Sequence, residues 1–386
     1  AALLARAGGL SVPGGTAGAA SFVAGASMEL PALALPLSAV AGWPAAFAVG
    51  RHHHHPASVV AVSGAGAALA LVTKRLWPLA PHKAADLSTA LTPLGQEPSP
   101  EGRGLTLVVN DTAGSALSGS PADELRRRLP EADVIEIDEG GDLAAALELA
   151  AASSIALGIA GGDGSINAAA EVAAAAGKPL VIIPAGTLNH LARDLGLISL
   201  TDAVTAVRRG QTVAIDLSSI DGRAFLNTAS FGSYVDLVDA RERLESTIGK
   251  WPAVLVALWR VLRASEPVDV ELDGRRRQLW MAFIGNCRYQ PKGFSPSWRP
   301  RLDDGQLDIR IVDGSAPWSR LRLVMALLTG TLGRCRAYEQ WTATELHVRS
   351  LRGPLRLARD GETFDGAERF SVTKCREPLA VYVPYR

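Results

Sequence analysis

The residues best suited to do chemistry in this sequence are acidic side chains set among glycines. Gly161-Gly162-Asp163-Gly164 follows the apolar run 155–160 and precedes an alanine-rich stretch. That order reads as strand, glycine loop and helix, with Ser165 expected at the helix N-cap. The arrangement repeats with the apolar run 180–183, the turn Pro184-Ala185-Gly186-Thr187 and a helix over 188–195. Two strand-to-helix turns side by side offer backbone N–H groups and two helix N-termini to one cleft, which is a means of holding a polyphosphate. The spacing is neither that of a P-loop, since no Gly-Lys-Ser/Thr follows, nor that of the dinucleotide fingerprint. Two tight turns in an α/β domain are the plain alternative. Asp163 weighs against it, because a carboxylate in a glycine nest fits best where a metal ion or a metal-bound phosphate lies between. In Asp360-Gly361-Glu362 a glycine separates two carboxylates and lets the backbone turn both towards one cleft. A surface hairpin turn is the alternative there.

Taken together, Gly161-Gly162-Asp163-Gly164-Ser165-Ile166-Asn167 and Pro184-Ala185-Gly186-Thr187-Leu188-Asn189, followed by Ala192-Arg193-Asp194-Leu195-Gly196, resemble the diacylglycerol kinase catalytic-domain family. That family groups bacterial diacylglycerol and related lipid kinases with sphingosine and ceramide kinases. The resemblance implies a NAD kinase/diacylglycerol kinase-like fold of two domains, one parallel α/β and one mainly antiparallel β. It implies ATP and Mg²⁺ as cofactors and transfer of the γ-phosphate to the hydroxyl of diacylglycerol or a related lipid. By the same resemblance backbone groups of Gly161, Gly162, Gly164, Gly186 and Thr187 bind the phosphates, Ser165 joins the cofactor-binding set, and Asp163 engages Mg²⁺ or orients the phosphate chain through it. Asn110, Asn167, Asn189 and Arg193 become candidate nucleotide contacts. Glu362, supported by Asp360, takes the proton from the lipid hydroxyl. The loop Asn110-Asp111-Thr112-Ala113-Gly114 resembles the family's first nucleotide-side turn, with Asp111 where the family usually has proline. Asp303-Asp304-Gly305-Gln306-Leu307-Asp308 matches a motif near a structural magnesium, which implies Asp303 and Asp304 as ligands. A turn before a strand accounts for the same stretch, and Pro300 or Arg301 stands where the family has a further acidic residue. Two rivals share part of this pattern. An NAD kinase has the same glycine-aspartate loop, and a catalytically silent membrane scaffold could bind nucleotide for regulation alone.

The chain has 386 residues, enough for two or three domains. Its 39 basic residues balance 39 acidic ones, so no global basic field exists to recruit nucleic acid. Cys287, Cys335 and Cys375 lack any paired motif, which points to reduced thiols rather than a disulfide or zinc framework. Over 17–72 only Glu29, Arg51 and the four histidines His52 to His55 are ionisable. The run 30–49 suits a membrane crossing, which takes about 20 apolar residues, and 58–72 is somewhat shorter. Two or three membrane helices are expected, with a buried alanine-rich bundle as the alternative. Lys74 and Arg75 put the remainder of the chain on the cytoplasmic side. The pieces Ser11-Val12-Pro13-Gly14-Gly15-Thr16 and Gly50-Arg51-His52-His53-His54-His55-Pro56 resemble the back half of a type 2 phosphatidic acid phosphatase. Gly14, Gly15 and Thr16 replace that family's serine, glycine and histidine, so the resemblance implies a degenerate membrane anchor.

The elements that must hold the acidic residues can be read from the pattern. An apolar helical membrane segment is expected over 1–75, a proline-rich linker over 76–104, an α/β nucleotide-binding domain over 105–217 and a β-rich second domain over 218–386. Helices are expected at 122–129, 142–152 and 200–209, the last stopped by Gly210. Later come a helical region at 234–262, a hairpin about Asp273-Gly274, a helix at 319–328 and strands through 369–383. The three arginines Arg126 to Arg128 read as a solvated helix face, with acidic lipid headgroups as the lesser alternative.

Overall fold

A computed structural model describes residues 84–87, 97–110, 120–138, 140–186, 189–232, 266–290, 298–315 and 335–384, with single positions at 235, 319 and 322. The expected membrane segment, most of 76–104, the loop 111–114, Thr187 and nearly all of the helical readings at 234–262 and 319–328 lie outside those residues. Among the described residues no helix is long and apolar enough to cross a membrane.

The first half alternates strands and helices: β1 (Leu105–Asn110), α1 (Pro121–Arg128), β2 (Asp133–Ile137), α2 (Leu143–Ser153), β3 (Ala156–Gly161), α3 (Asp163–Ala175), β4 (Leu180–Pro184), α4 (His190–Asp194) and α5 (Leu200–Arg209). Local chemistry sets the helix ends. Ser120 accepts from the Ala122 N–H, with Pro121 in the first turn, and Asp142 accepts from the Ala145 N–H. Ser199 and Asp202 form a reciprocal capping box, and Gly210 closes α5 at φ 64°. Arg127 and Arg128 pair with Glu124, while Arg126 reaches Glu136 at 2.7 Å, so the arginine face of α1 is ion-paired in solvent.

After β5 (Thr212–Ile215) the chain becomes strand-rich: β6 (Ser218–Ile220), β7 (Arg223–Phe225), β8 (Thr228–Gly232), β9 (Val268–Leu272), β10 (Arg275–Asn286), β11 (Leu307–Asp313), β12 (Tyr338–Ala343), β13 (Glu345–Ser350), β14 (Arg356–Arg359), β15 (Glu362–Asp365), β16 (Arg369–Lys374) and β17 (Leu379–Tyr382). One sheet has the order β2-β1-β3-β4-β17-β5. In it β2, β1, β3, β4 and β17 run parallel and β5 is antiparallel to β17. The other follows β15-β14-β8-β10-β9-β13-β16-β6-β7, with β11 and β12 added along β10. All its described pairings are antiparallel.

Two departures from the sequence reading have physical reasons. The last strand β17 leaves the β-rich half and inserts between β4 and β5. Its apolar residues Leu379 and Val381 are buried in the α/β core. The described part of 97–104 is packed rather than free: the Gly102 N–H bonds the Ser99 carbonyl, and Arg103 pairs with Glu131. Residues 85 and 86 also dock, with the Ala85 N–H on the Asp194 carbonyl at 2.7 Å and the Asp86 N–H on that of Pro300 at 2.8 Å.

The parallel sheet depends on one close approach. Strand β3 is buried along its whole length, and a Cβ on Gly158 would meet Leu107 Cδ2 of the neighbouring strand at 2.2 Å. Gly158→Val is therefore expected to overpack the core and destabilise the protein by about 1–3 kcal/mol. Urea unfolding should report this as a lower midpoint at unchanged slope.

Candidate functional site

The parallel strands deliver the candidate residues to one edge. β1 stops at Asn110, β3 at Gly161 and β4 at Pro184. The strand order reverses between β1 and β3, and the crevice outside the carboxyl ends at such a switch point is where open α/β sheets bind ligands. Asn110 Nδ2 bonds Ser165 Oγ at 2.9 Å across this crevice. Ser165 is not the helix N-cap: α3 begins two residues earlier, Gly162 takes the cap position, and no side chain caps it. The first N–H groups of a 13-residue helix thus face the crevice without a side-chain partner, the arrangement that suits an anion. Beside it Asn167 Oδ1 is buried with no hydrogen-bond partner among the described residues. An orphaned buried acceptor is costly and fits a ligand donor.

The two glycine turns touch. A Cβ on Gly186 would come within 2.5 Å of Gly162 Cα, so any side chain there would push the turns apart. Asp163 ties them further, accepting the His190 N–H at 2.8 Å through Oδ1 and so capping α4 from outside. Asn189, at φ 48°, spends its side chain on Gly186, accepting its N–H at 3.0 Å and donating to its carbonyl at 2.6 Å. Of the expected nucleotide contacts, Asn189 is thus a turn-former, Arg193 is exposed on α4, and Thr187 lies outside the described residues.

The second carboxylate motif separates into two jobs. Asp360 and Gly361, at φ 47° and 94°, form the two-residue turn joining β14 and β15, with Arg359 opposite Glu362. Asp360 does not face the cleft as expected. Its carboxylate accepts the N–H groups of Leu226, Asn227 and Thr228, all at 2.8 Å. Burial pushes this carboxyl up, while the three N–H groups and Arg299 pull it back. Glu362 is exposed, and its Oε1 lies 4.0 Å from where a Cβ on Gly164 would sit. A carboxylate from the antiparallel sheet therefore meets the uncapped end of α3. Arg359 spans the same seam, bonding Glu171 of α3 at 2.9 Å and the Ala224 carbonyl at 2.6 Å.

Asp303 and Asp304, expected as metal ligands, have other partners. Asp303 pairs with Arg301 at 3.0 Å, and Asp304 accepts the N–H groups of Arg288 and Gln306. Asp304, Asp216 and Cys287 do bring ligand atoms within 4.8 Å of one another. Lys374 Nζ already stands in this cluster, 2.9 Å from Asp216 and 2.6 Å from Asn286 Oδ1. Burial pushes the Cys287 thiol up to about 12, so it is protonated and donates to Asp216. A thiol and an ammonium do not make the oxygen cage that Mg²⁺ requires, and the motif serves as a turn before β11.

Sequence reasoning missed Arg299 and its partner Asp194. Arg299 is buried among the elements that join the two sheets and pairs with Asp194 at 2.8 Å. No local periodicity marks a residue whose partners lie 73 and 105 positions away.

Comparison with known proteins agrees with this geometry. Residues 104–220 match the family model described as Diacylglycerol kinase catalytic domain. A protein named "Probable lipid kinase YegS-like" from Pseudomonas aeruginosa (strain UCBPP-PA14) is 34% identical over 261 residues, covering 64% of this chain and 82% of that protein. A diacylglycerol kinase of Mycobacterium tuberculosis (strain H37Rv) is 30% identical over 261 residues, covering 63% and 84%. In fold, a crystal structure of a diacylglycerol kinase from Bacillus anthracis superposes with a TM-score of 0.50 at 19% identity, over 72% of this chain and 96% of that one.

The division of labour between Asp360 and Glu362 can be measured. Asp360→Asn keeps one carbonyl oxygen but turns an amide N–H₂ towards a buried backbone N–H. It is expected to cost about 2–3 kcal/mol of stability in urea unfolding. A loss under about 0.5 kcal/mol, the range of ordinary surface changes, would remove the clamp role.

Proposed function

The chain belongs to the diacylglycerol kinase catalytic-domain family and is a lipid kinase, and from that premise we propose that Glu362 is its general base and diacylglycerol or a closely related lipid its acceptor. The observation that carries this reading is the approach of Glu362 Oε1 to Gly164 at the start of α3. Phosphoryl transfer asks a protein for positioning, charge stabilisation and a proton acceptor. The paired turns at Gly161–Gly164 and Gly186, with the first N–H groups of α3, supply anion contacts for the phosphates of ATP. Asn110 and Ser165 hold the floor of that crevice, and Asn167 Oδ1 offers an unfilled acceptor to the nucleotide. Glu362 then removes the proton from the acceptor hydroxyl as the oxygen attacks. A Mg²⁺ ion bound with the nucleotide would neutralise phosphate charge, and the Asp163 carboxylate, with one oxygen on His190, would help hold it.

The relatives at 30% identity or more carry lipid kinase names, which favours a lipid acceptor over the NAD acceptor that the glycine-aspartate loop also suggests. The apolar composition of 1–75, closed by Lys74 and Arg75, supports attachment to the membrane with the kinase domain on the cytoplasmic side. Attachment would raise the effective concentration of a bilayer substrate.

Incubation of the full chain with radiolabelled ATP, a total lipid extract and NAD tests the acceptor. Label in phosphatidic acid or another phospholipid is expected, and label in NADP overturns the reading. Glu362→Gln should lower turnover by about 10²–10⁴-fold while nucleotide affinity, measured by titration of a fluorescent ATP analogue, stays near that of the parent. Near-normal turnover would remove Glu362 from the role of base.

A further inference from the structure

We infer that Arg299 is a positioning residue for phosphoryl transfer: it sets the spacing between the nucleotide-side helix α4 and the turn that carries Glu362. The inference rests on the reading of Glu362 given above and adds a residue that touches neither substrate.

Arg299 is 1% exposed. Its Nε donates to Asp194 Oδ2 at 2.8 Å, Nη1 to the Leu226 carbonyl at 2.7 Å, and Nη2 to Asn227 Oδ1 at 2.9 Å. Nη1 also reaches the Asn286 carbonyl at 3.3 Å, and the guanidinium lies 5.3 Å from the centre of the Tyr289 ring. Asp194 is the last residue of α4, and the first N–H of α4, on His190, is held by Asp163. Leu226 and Asn227 are residues whose N–H groups Asp360 holds. The links therefore form a chain: Asp163, α4, Asp194, Arg299, the segment 226–228, Asp360 and Glu362, whose Oε1 ends 4.0 Å from where a Cβ on Gly164 would sit. Along this chain of described residues Asp194–Arg299 is the sole ion pair.

Arginine suits the place because one planar fork serves four separate acceptors, which a single ammonium cannot do in the same directions. The other pair across the seam, Arg359–Glu171, has its carboxylate half exposed at 47% and is screened accordingly. Arg299 is buried and Asp194 is 13% exposed, so this pair is less screened and its geometry the better defined. An error of about 1 Å between reacting groups can cost about 100-fold in rate. Glu362 reaches the end of α3 from another sheet, so its distance to the phosphates depends on this seam.

The test is steady-state kinetics of the full chain on vesicles of total bacterial lipid supplemented with diacylglycerol, following radiolabelled phosphate from ATP. Asp194→Asn, Arg299→Lys and Arg299→Met are compared with the parent and with Glu362→Gln, each well below its own thermal midpoint. Asp194→Asn is expected to lower kcat by about 10- to 100-fold and to leave KM for ATP within about twofold of the parent. Arg299→Lys should retain more rate than Arg299→Met. If the Arg299 variants do not fold, Asp194→Asn, which keeps the side-chain shape, decides alone. A folded Asp194→Asn with kcat within about twofold of the parent overturns the inference, as does a rate lost only in proportion to the folded fraction. An inactive Glu362→Gln beside a fully active Asp194→Asn removes this inference alone, whereas an active Glu362→Gln removes the Glu362 reading from which it starts.

Discussion

A single carboxylate, that of Asp360, ties the turn carrying Glu362 to the rest of the antiparallel sheet. Asp360 gathers three consecutive backbone N–H groups at 2.8 Å, which determines the course of the chain between β7 and β8. The constraint works in both directions. The 226–228 segment cannot move without stranding its N–H donors, and the β14–β15 turn cannot move without stranding the Asp360 carboxyl. Because Glu362 is two residues from Asp360, its carboxylate inherits this rigidity while remaining exposed. A carboxylate on a surface turn would ordinarily be poorly positioned. Here the turn is pinned by the residue that precedes it.

The charge arrangement around the interdomain crossing obeys the same logic. The chain passes between the sheets at 215–218 and again at 374–379, and the crossings meet: the Cys375 N–H bonds the Leu217 carbonyl, and Lys374 reaches Asp216. Asn286 at the end of β10 links them by donating to the carbonyls of Asp216 and Leu226 and accepting from Ser218 and Lys374. Acidic groups there are matched by cations of the protein itself, so the segment 301–308 is held by side chains and amides. Buried ion pairs of this kind do more for geometric definition than for net stability.

Much of this is legible in the sequence where the signal is local. The glycine turns after β3 and β4 announce themselves through an apolar run, small residues and a helix, and the structure brings them into contact. Asp-Gly pairs at 221–222, 273–274 and 360–361 all form tight hairpin turns with positive φ at both residues, as their chemistry dictates. The same dipeptide gives no sign of which aspartate will gather several backbone N–H groups. Asp273 takes one N–H, from His347, and Asp221 takes one, from Ala367, but Asp360 takes three. That distinction depends on β14 pairing with β8, a neighbourhood set by long-range sheet order. The Ser165 expectation fails for a related reason: Gly161 and Gly162 let the helix start at Asp163, ahead of the nearest hydroxyl. The motif around Asp303 and Asp304 suggests metal ligands, yet it gives no sign of Arg301 and Arg288, which come from outside it to meet these two residues.

The position of β17 carries a consequence for how the chain is made. Strand β5 pairs with β17 alone among the described strands, and β17 separates it from β4. During synthesis the nucleotide-side sheet therefore waits for residues 379–382 to leave the ribosome before its far edge is sealed. Until then β4 presents an open edge and β5 has no strand to join, while the intervening β-rich half is already available to collapse. The two halves are unequal as folding units, since the later one interrupts the earlier and the earlier one is completed last. Truncation before Leu379 would remove no strand of the antiparallel sheet and would unseal the parallel one.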